Sequence, residues 1–453
     1  MSRSTRPRKR TRPGSARASA PSRRNRKPEP DPASIRPGST AASRSRLLIP
    51  AFLGVMAVSF WAGLESGRRL ASTAAPNPLP NPIASVEPAA AVAPAPTSRP
   101  AAPPPAEPFQ AAMAGEFHRQ SGVLLGCAEM VRDHPEVFLD IVSNLRGHVP
   151  ILALVGCADD RQAAEELLRE NDLDDADVRF IQAPVSTMWA RDYGPQFIRT
   201  ATGTTEVLDT LSPLPGDDLP DSIDFSAPGA VARRLFLPIC STEFRVEGGN
   251  LLTNGDGLCV TTSAFLDENG EIDEPRIRTL LRDSLGCDRW ACLEPLQGES
   301  TGHVDMFVTF VAENAAVVAE CDPRSDPANA AILDAAAAAL AGIPTSKGPV
   351  RVHRIPMPPA EDGVFRSYTN VIYANGILLL PTYSGVDPEI EQKAFDVYAR
   401  LLPGWRIVGI NCDSLIQLGG ALHCVTMNVP SFVPLRGRVA ARPAALQPAR
   451  VIR

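Results

Sequence analysis

The chain has 453 residues, with 45 Lys+Arg against 51 Asp+Glu and a formal net charge of −6. That length accommodates one large domain or two ordinary ones. Charge is unevenly spread: residues 1–46 carry 14 bases and two acids, the rest 31 bases and 49 acids. So acidic a body argues against nucleic-acid binding and is compatible with a cationic substrate.

Residues 1–46 hold almost no large apolar side chains and read as a disordered basic tail, because they cannot bury enough surface to offset chain entropy. Leu47–Leu64 is an uncharged apolar run close to the shortest length that spans a membrane. With the bases on its N-terminal side, segment 47–66 reads as a retained transmembrane anchor or uncleaved signal, leaving the downstream domain extracytoplasmic. Secretion after signal cleavage and a buried helix are the rival readings. Residues 67–108 are a Pro/Ala-rich spacer of PPII type. One domain is expected over 109–436, and a second basic tail over 437–453.

Inside that domain helices and strands alternate. In DHPEVFLDIVSNLRG, Pro135 near the start and Gly147 at the end bracket a helix. PILALVGC follows as a buried strand, DDRQAAEELLREN as a helix capped by Asp159 or Asp160, and DVRFIQAP as a strand. DEPRIRTLLRDSLG, SDPANAAILDAAAAALAG and DPEIEQKAFDVYARLLPG share one design: an acid or Ser, then Pro, an apolar periodic stretch and a closing Gly. DMFVTFV, AAVVAE, VRVHRIP, NVIYANGILLLP and WRIVGI are strand candidates between them, giving the α/β class. The nine cysteines contain no CxxC pair, which excludes a zinc ribbon, and an odd count leaves at least one free thiol. Cys157 and Cys259, inside apolar runs, read as core residues.

Four polar clusters interrupt this pattern: MWARDYGP from Met188, VEGGN from Val246, GESTGHVD from Gly298 and GGALHCVTM from Gly419. Each has a bland reading. Asp192 before Gly194-Pro195 is ordinary turn chemistry, and Glu247 ahead of two glycines caps a turn. His303 and Asp305 would share one face of a strand. They could be metal ligands, a catalytic pair or two exposed polar residues. His423 would point away from Cys424 across a strand, making it a poor base for that thiol. Taken together, a Cys, a His and two Asp suit cleavage of a C–N bond in a guanidinium. The thiol is a nucleophile once activated, and paired carboxylates match the planar cation.

WARDYGP, EGGN, GHVD and GGALHC resemble, in order and spacing, the agmatine deiminase and bacterial (Porphyromonas-type) peptidylarginine deiminase family of the pentein superfamily. The resemblance implies a five-bladed α/β propeller of pseudo-fivefold ββαβ units around one central site. It implies Cys424 as nucleophile, His303 as general acid/base, Asp192 and Asp305 as the acids gripping the guanidinium, and Glu247 as the acid orienting His303. Trp189 would line the pocket, and RSYTNVIYANG would bring Asn370 to it. No metal or cofactor is implied. The implied reaction proceeds through a covalent Cys thiouronium and releases ammonia and a ureido product, agmatine giving N-carbamoylputrescine. Peptidyl- or protein-arginine deimination to citrulline, and a thiol amidase of another type, are the alternatives. Agmatine deiminases usually carry several acids in the run before the HxD, whereas Gly298–Gly302 holds only Glu299. Expected partners are a small-molecule or peptide guanidinium substrate and a membrane through the N-terminal helix.

Overall fold

The computed structural model describes residues 111–211, 223–435 and 450–452. The basic tail 1–46, the anchor 47–66 and the spacer 67–108 lie outside the described residues. Among the described residues no helix is long and apolar enough to cross a membrane.

Helices form where the chain supplies its own caps. Pro135–Leu145 begins on proline and buries Val137, Phe138, Ile141, Val142 and Leu145, the stripe that a 3.6-residue period turns to one side. Helices Glu274–Leu285, Pro327–Leu340 and Pro388–Leu401 start behind Asp273, Asp326 and Asp387. Each carboxylate accepts from the backbone N–H of Arg276, Asn329 or Glu389, satisfying a donor that the first turn leaves free. At helix Ala158–Glu170 the cap comes from inside: Asp160 accepts from the backbone N–H of Gly156 and Cys157, each at 3.1 Å, and pairs with Arg132. Cys157 is therefore the N-cap, and it is exposed rather than a core residue as expected. The buried strand Ile151–Val155 has already ended two residues earlier. Cys259 is buried, as its apolar run implied.

The strands form five sheets, and four repeat one unit. An opening strand pairs antiparallel with a second, and a helix crosses over to a third strand lying parallel to the second. Val308–Ala312, Ala315–Glu320 and Arg351–Pro356 form one such unit around helix Pro327–Leu340. Ile372–Ala374, Ile377–Thr382 and Arg406–Asn411 form another around Pro388–Leu401. Leu252–Thr253, Leu258–Thr262 and Arg289–Leu293 enclose Glu274–Leu285. Gln196–Thr200, Thr205–Asp209 and Ile239–Thr242 enclose Ala227–Leu235. In the fifth sheet the opening strand comes from the other end of the domain. Thr426–Pro430 pairs antiparallel with Gln120–Gly126, which runs parallel to Ile151–Val155, and that strand parallel to Val178–Gln182.

Two expectations change here. NVIYANGILLLP, read as one strand, is a hairpin turning at Asn375 and Gly376, with φ of 49° and 92°. A two-residue turn of this hand needs positive φ at both positions, which Asn and Gly tolerate. Arg450–Ile452, expected in a loose tail, pairs parallel with the edge strand Ile239–Thr242, whose outer backbone groups offer partners to a further strand.

Because Asp273 caps through one carboxylate, Asp273→Ala should cost about 1 kcal/mol of stability. Urea unfolding followed by circular dichroism checks this.

Candidate active site

The polar clusters occupy equivalent places in the five sheets. Asp192 precedes opening strand Gln196–Thr200, Glu247 precedes Leu252–Thr253, and Asp305 precedes Val308–Ala312. Asn370 precedes Ile372–Ala374, and Cys424 precedes Thr426–Pro430. Sequence-distant loops thus converge because each unit places its entry loop alike. The loops themselves are tight: a one-turn helix over Ala190–Tyr193 and 3₁₀ turns over Gly248–Asn250 and Val304–Met306.

His303 and Asp305 consequently do not lie on a strand, where they would have shared a face. His303 caps the 3₁₀ turn that contains Asp305. The cause is upstream: Glu299 accepts from the backbone N–H groups of Thr301 and Gly302 and from the Thr301 hydroxyl, curling the chain before it reaches the strand. The two side chains then part company.

Asp305 faces the cysteine. Its Oδ2 lies 3.8 Å from Cys424 Sγ and 2.6 Å from His423 Nδ1. Asn370 donates from Nδ2 to Cys424 Sγ at 3.2 Å, while its Oδ1 accepts from the backbone N–H groups of His423 and Cys424 at 2.9 and 3.3 Å. The thiol is thus held by a side chain that also fixes its own backbone. Burial, then the charges of Asp305 and Asp192, push the Cys424 thiol well above its usual range, and the Asn370 contact only partly opposes them.

His303 faces the other acids. Its Nε2 is 2.7 Å from Glu247 Oε2, and its Nδ1 is 3.8 Å from Asp192 Oδ1. Burial disfavours its charge, but the Glu247 hydrogen bond and the charges of Asp192 and Asp305 prevail and raise its pKa to about 10. Asp192 moves the opposite way chemically: burial, reinforced by Glu247 and Asp305, raises its carboxyl to about 7, with the charge of His303 opposing. Part of the Asp192 side chain is accessible, yet its Oδ1 is wholly buried, and neither that atom nor Asp305 Oδ1 has a hydrogen-bond partner. Asp192, Glu247 and His303 also bring one ligand atom each within 4.8 Å of one another, a spacing that could hold a cation, although no metal was expected.

Two glycines admit this packing. A Cβ on Gly249 would run into the ring of His303. A Cβ on Gly420 would meet both the Trp189 ring and Cys424. Trp189 therefore stands beside the cysteine, so all seven residues singled out in the sequence come together.

Three others escaped the sequence reading. Glu116, in the segment before strand Gln120–Gly126, lies 2.9 Å from His423 Nε2 and accepts from Arg191 Nη1 at 2.7 Å. A lone Glu outside every cluster carries no signal of this, and His423 had been set aside on the assumption that it sat in a strand. Beside the site, a cleft of about 240 Å³ is lined by Glu299, Met306, Phe365 and Leu418 among others. Leu418 is 58 % exposed there, and Glu299 is committed to its own loop.

Glu247→Gln removes the strongest contact supporting the His303 charge, so the His303 titration should move below its native value of about 10. Nitrogen-15 NMR of labelled histidine reads this directly. An unmoved titration would show that Glu247 does not hold the proton there.

The model of the Porphyromonas-type peptidyl-arginine deiminase family matches residues 112–430. The agmatine deiminase of Stutzerimonas stutzeri is 28 % identical over 293 residues, which span 57 % of this chain and 78 % of that relative. A substrate-bound C. jejuni agmatine deiminase superposes with a TM-score of 0.59 at 21 % identity, covering 70 % of this chain and 96 % of that one. The Enterococcus faecalis agmatine deiminase gives a TM-score of 0.60 at 21 % identity, covering 72 % and 97 %. At such identities the two structures establish a shared α/β fold. With the matched span running from the segment ahead of Glu116 to the strand behind Cys424, the chain belongs to the Porphyromonas-type peptidyl-arginine deiminase family of the pentein superfamily and is a hydrolase of C–N bonds.

Proposed function

We propose that the chain deiminates a guanidinium substrate through a covalent Cys424 intermediate. The observation that carries this reading is the pair of buried oxygens without a hydrogen bond on Asp192 and Asp305, in the same cluster as the thiol. Carboxylate oxygens short of hydrogen bonds in a low-dielectric site favour a cation, and a guanidinium supplies donors in a planar fork. Its arrival would draw the Asp192 carboxyl down from about 7 and offset the acids that hold the thiol protonated.

The Cys424 sulfur then attacks the guanidinium carbon, and the thiol proton passes to the departing nitrogen through His303, so that ammonia leaves and a thiouronium remains. The ammonia carries off the proton that His303 held in the resting site, departing as ammonium and leaving the imidazole neutral. Water, deprotonated by His303, displaces the sulfur, giving the ureido product and regenerating the thiol. Glu247 orients His303, Asn370 holds the thiol, and the Trp189 face packs on the cation. The five sheets are proposed to stand as propeller blades around this site. Segment 47–66 is proposed to anchor the domain outside the cytoplasm.

The names of the curated relatives favour agmatine, whose product is N-carbamoylputrescine. A second reading, arginine within a peptide, is favoured by the cleft: its one acid, Glu299, spends both oxygens on Thr301 and Gly302. An agmatine ammonium would find no free carboxylate there, whereas Phe365 and Leu418 suit an uncharged backbone. Purified protein offered agmatine, free arginine, an internal peptidyl arginine and a C-terminal one should release ammonia and ureido product from one class preferentially. Ammonia from none of them would sink the proposal.

Cys424→Ala should reduce turnover by at least about 10³-fold while substrate still binds, measured by ammonia release and calorimetry. Asp192→Asn should cripple deimination nearly as severely. A thiol amidase would tolerate that change, so mild loss would favour the amidase.

A further inference from the structure

Four ionisable side chains, three of them buried and Glu116 partly so, form a row ending at the nucleophile. Arg191 donates from Nη1 to Glu116 Oε1 at 2.7 Å. The Glu116 oxygens lie 3.0 and 2.9 Å from His423 Nε2, and His423 Nδ1 lies 2.6 Å from Asp305 Oδ2. Glu116, His423 and Asp305 belong to segments far apart in sequence, and the pairing of strand Thr426–Pro430 with Gln120–Gly126 brings the segments of Glu116 and His423 together.

Both imidazole nitrogens of His423 are engaged by carboxylates, so His423 has no free nitrogen to serve as a base for the adjacent Cys424. A ring between two acids donates from both nitrogens and carries a charge. Signs along the row then alternate: Arg191 positive, Glu116 negative, His423 positive, Asp305 negative. Alternation offsets the cost of burying each member. The charged groups acting on His423 are Glu116, Asp305 and Arg191.

A row serving only stability would satisfy both oxygens of its terminal acid. Here Asp305 is 1 % exposed, Oδ2 is held and Oδ1 has no partner. We propose that Glu116 and His423 are positioning residues: Glu116, through the His423 imidazole, fixes one oxygen of Asp305 and leaves the other for the guanidinium. This rests on the deimination reading above. Arg191 completes the clamp, because its Nε also donates to the His423 carbonyl at 3.3 Å and so ties the ring's backbone to the same guanidinium.

The test uses the full chain, wild type and Glu116→Gln, with histidine-selective nitrogen-15 NMR and steady-state kinetics on agmatine and a peptidyl arginine. Wild-type His423 should titrate above the ordinary imidazole range, since two carboxylates hold its nitrogens. In Glu116→Gln it should titrate lower than in the wild type, since one supporting carboxylate is gone. The variant's kcat/KM should fall about 10²-fold, with KM rising more than kcat falls, because Asp305 is misplaced for binding. The loss should deepen as pH rises, because the imidazolium disappears in that direction. A wild-type His423 that titrates at or below the ordinary imidazole value overturns the proposal, even if the variant fails to fold. So does a folded variant whose kcat/KM stays within about twofold of wild type at every pH, a difference of only ~0.4 kcal/mol. Absence of wild-type turnover on every guanidine would instead sink the deimination reading, while the His423 signal still decides whether the two acids hold the ring charged.

Discussion

A buried carboxylate is tolerated only where positive charge or a full set of hydrogen bonds replaces the water it has lost. This site is arranged around that constraint. His423 serves one oxygen of Asp305, and His303 stands 3.8 Å from Asp192, yet each acid keeps a buried oxygen without a hydrogen-bond partner. Asp192 meets the deficit by holding its proton to about pH 7. A cation entering the site relieves it more completely. In the proposed reaction, substrate charge would be coupled to the state of the thiol, since the acids proposed to bind the guanidinium also hold Cys424 protonated in its absence.

The two histidines divide the work by their surroundings. His303 has Glu247 on one nitrogen and Asp192 at longer range on the other, which leaves it able to exchange a proton. His423 is clasped from both sides by Glu116 and Asp305 and is occupied in holding geometry. Two equally buried imidazoles thus differ in setting: one keeps a nitrogen without a hydrogen bond, and the other has both nitrogens held by carboxylates.

Repetition in the fold makes the convergence economical. Each sheet begins with a strand entered through a tight loop, and the loops supply Asp192, Glu247, Asp305, Asn370 and Cys424 in turn. Glycines at 249 and 420 remove the Cβ atoms that would otherwise occupy the ground of His303, Trp189 and Cys424. A side chain at either point would press directly on the chemistry.

Local order was written in the chain. The Asp-Pro caps at 273, 326 and 387, the apolar stripe of Pro135–Leu145 and the buried run Ile151–Val155 depend on neighbours within a few positions, and short-range sterics and hydrogen bonding decide them. The polar clusters were visible for the same reason, as Gly-bearing interruptions of an apolar pattern. Their mutual placement was not, because the alternation rule applied to His303, Asp305 and His423 presumes strands, and these residues lie in turns shaped by Glu299 and Asn370. Glu116 stood beyond reach altogether, separated from His423 by 307 positions. The sequence alone determined which side chains were present for the chemistry and which segments could bury a face. Only the tertiary structure, by pairing the last strand of the domain with one of its first, decided that an isolated glutamate would meet a discounted histidine, since a contact between distant segments leaves no periodic trace in either.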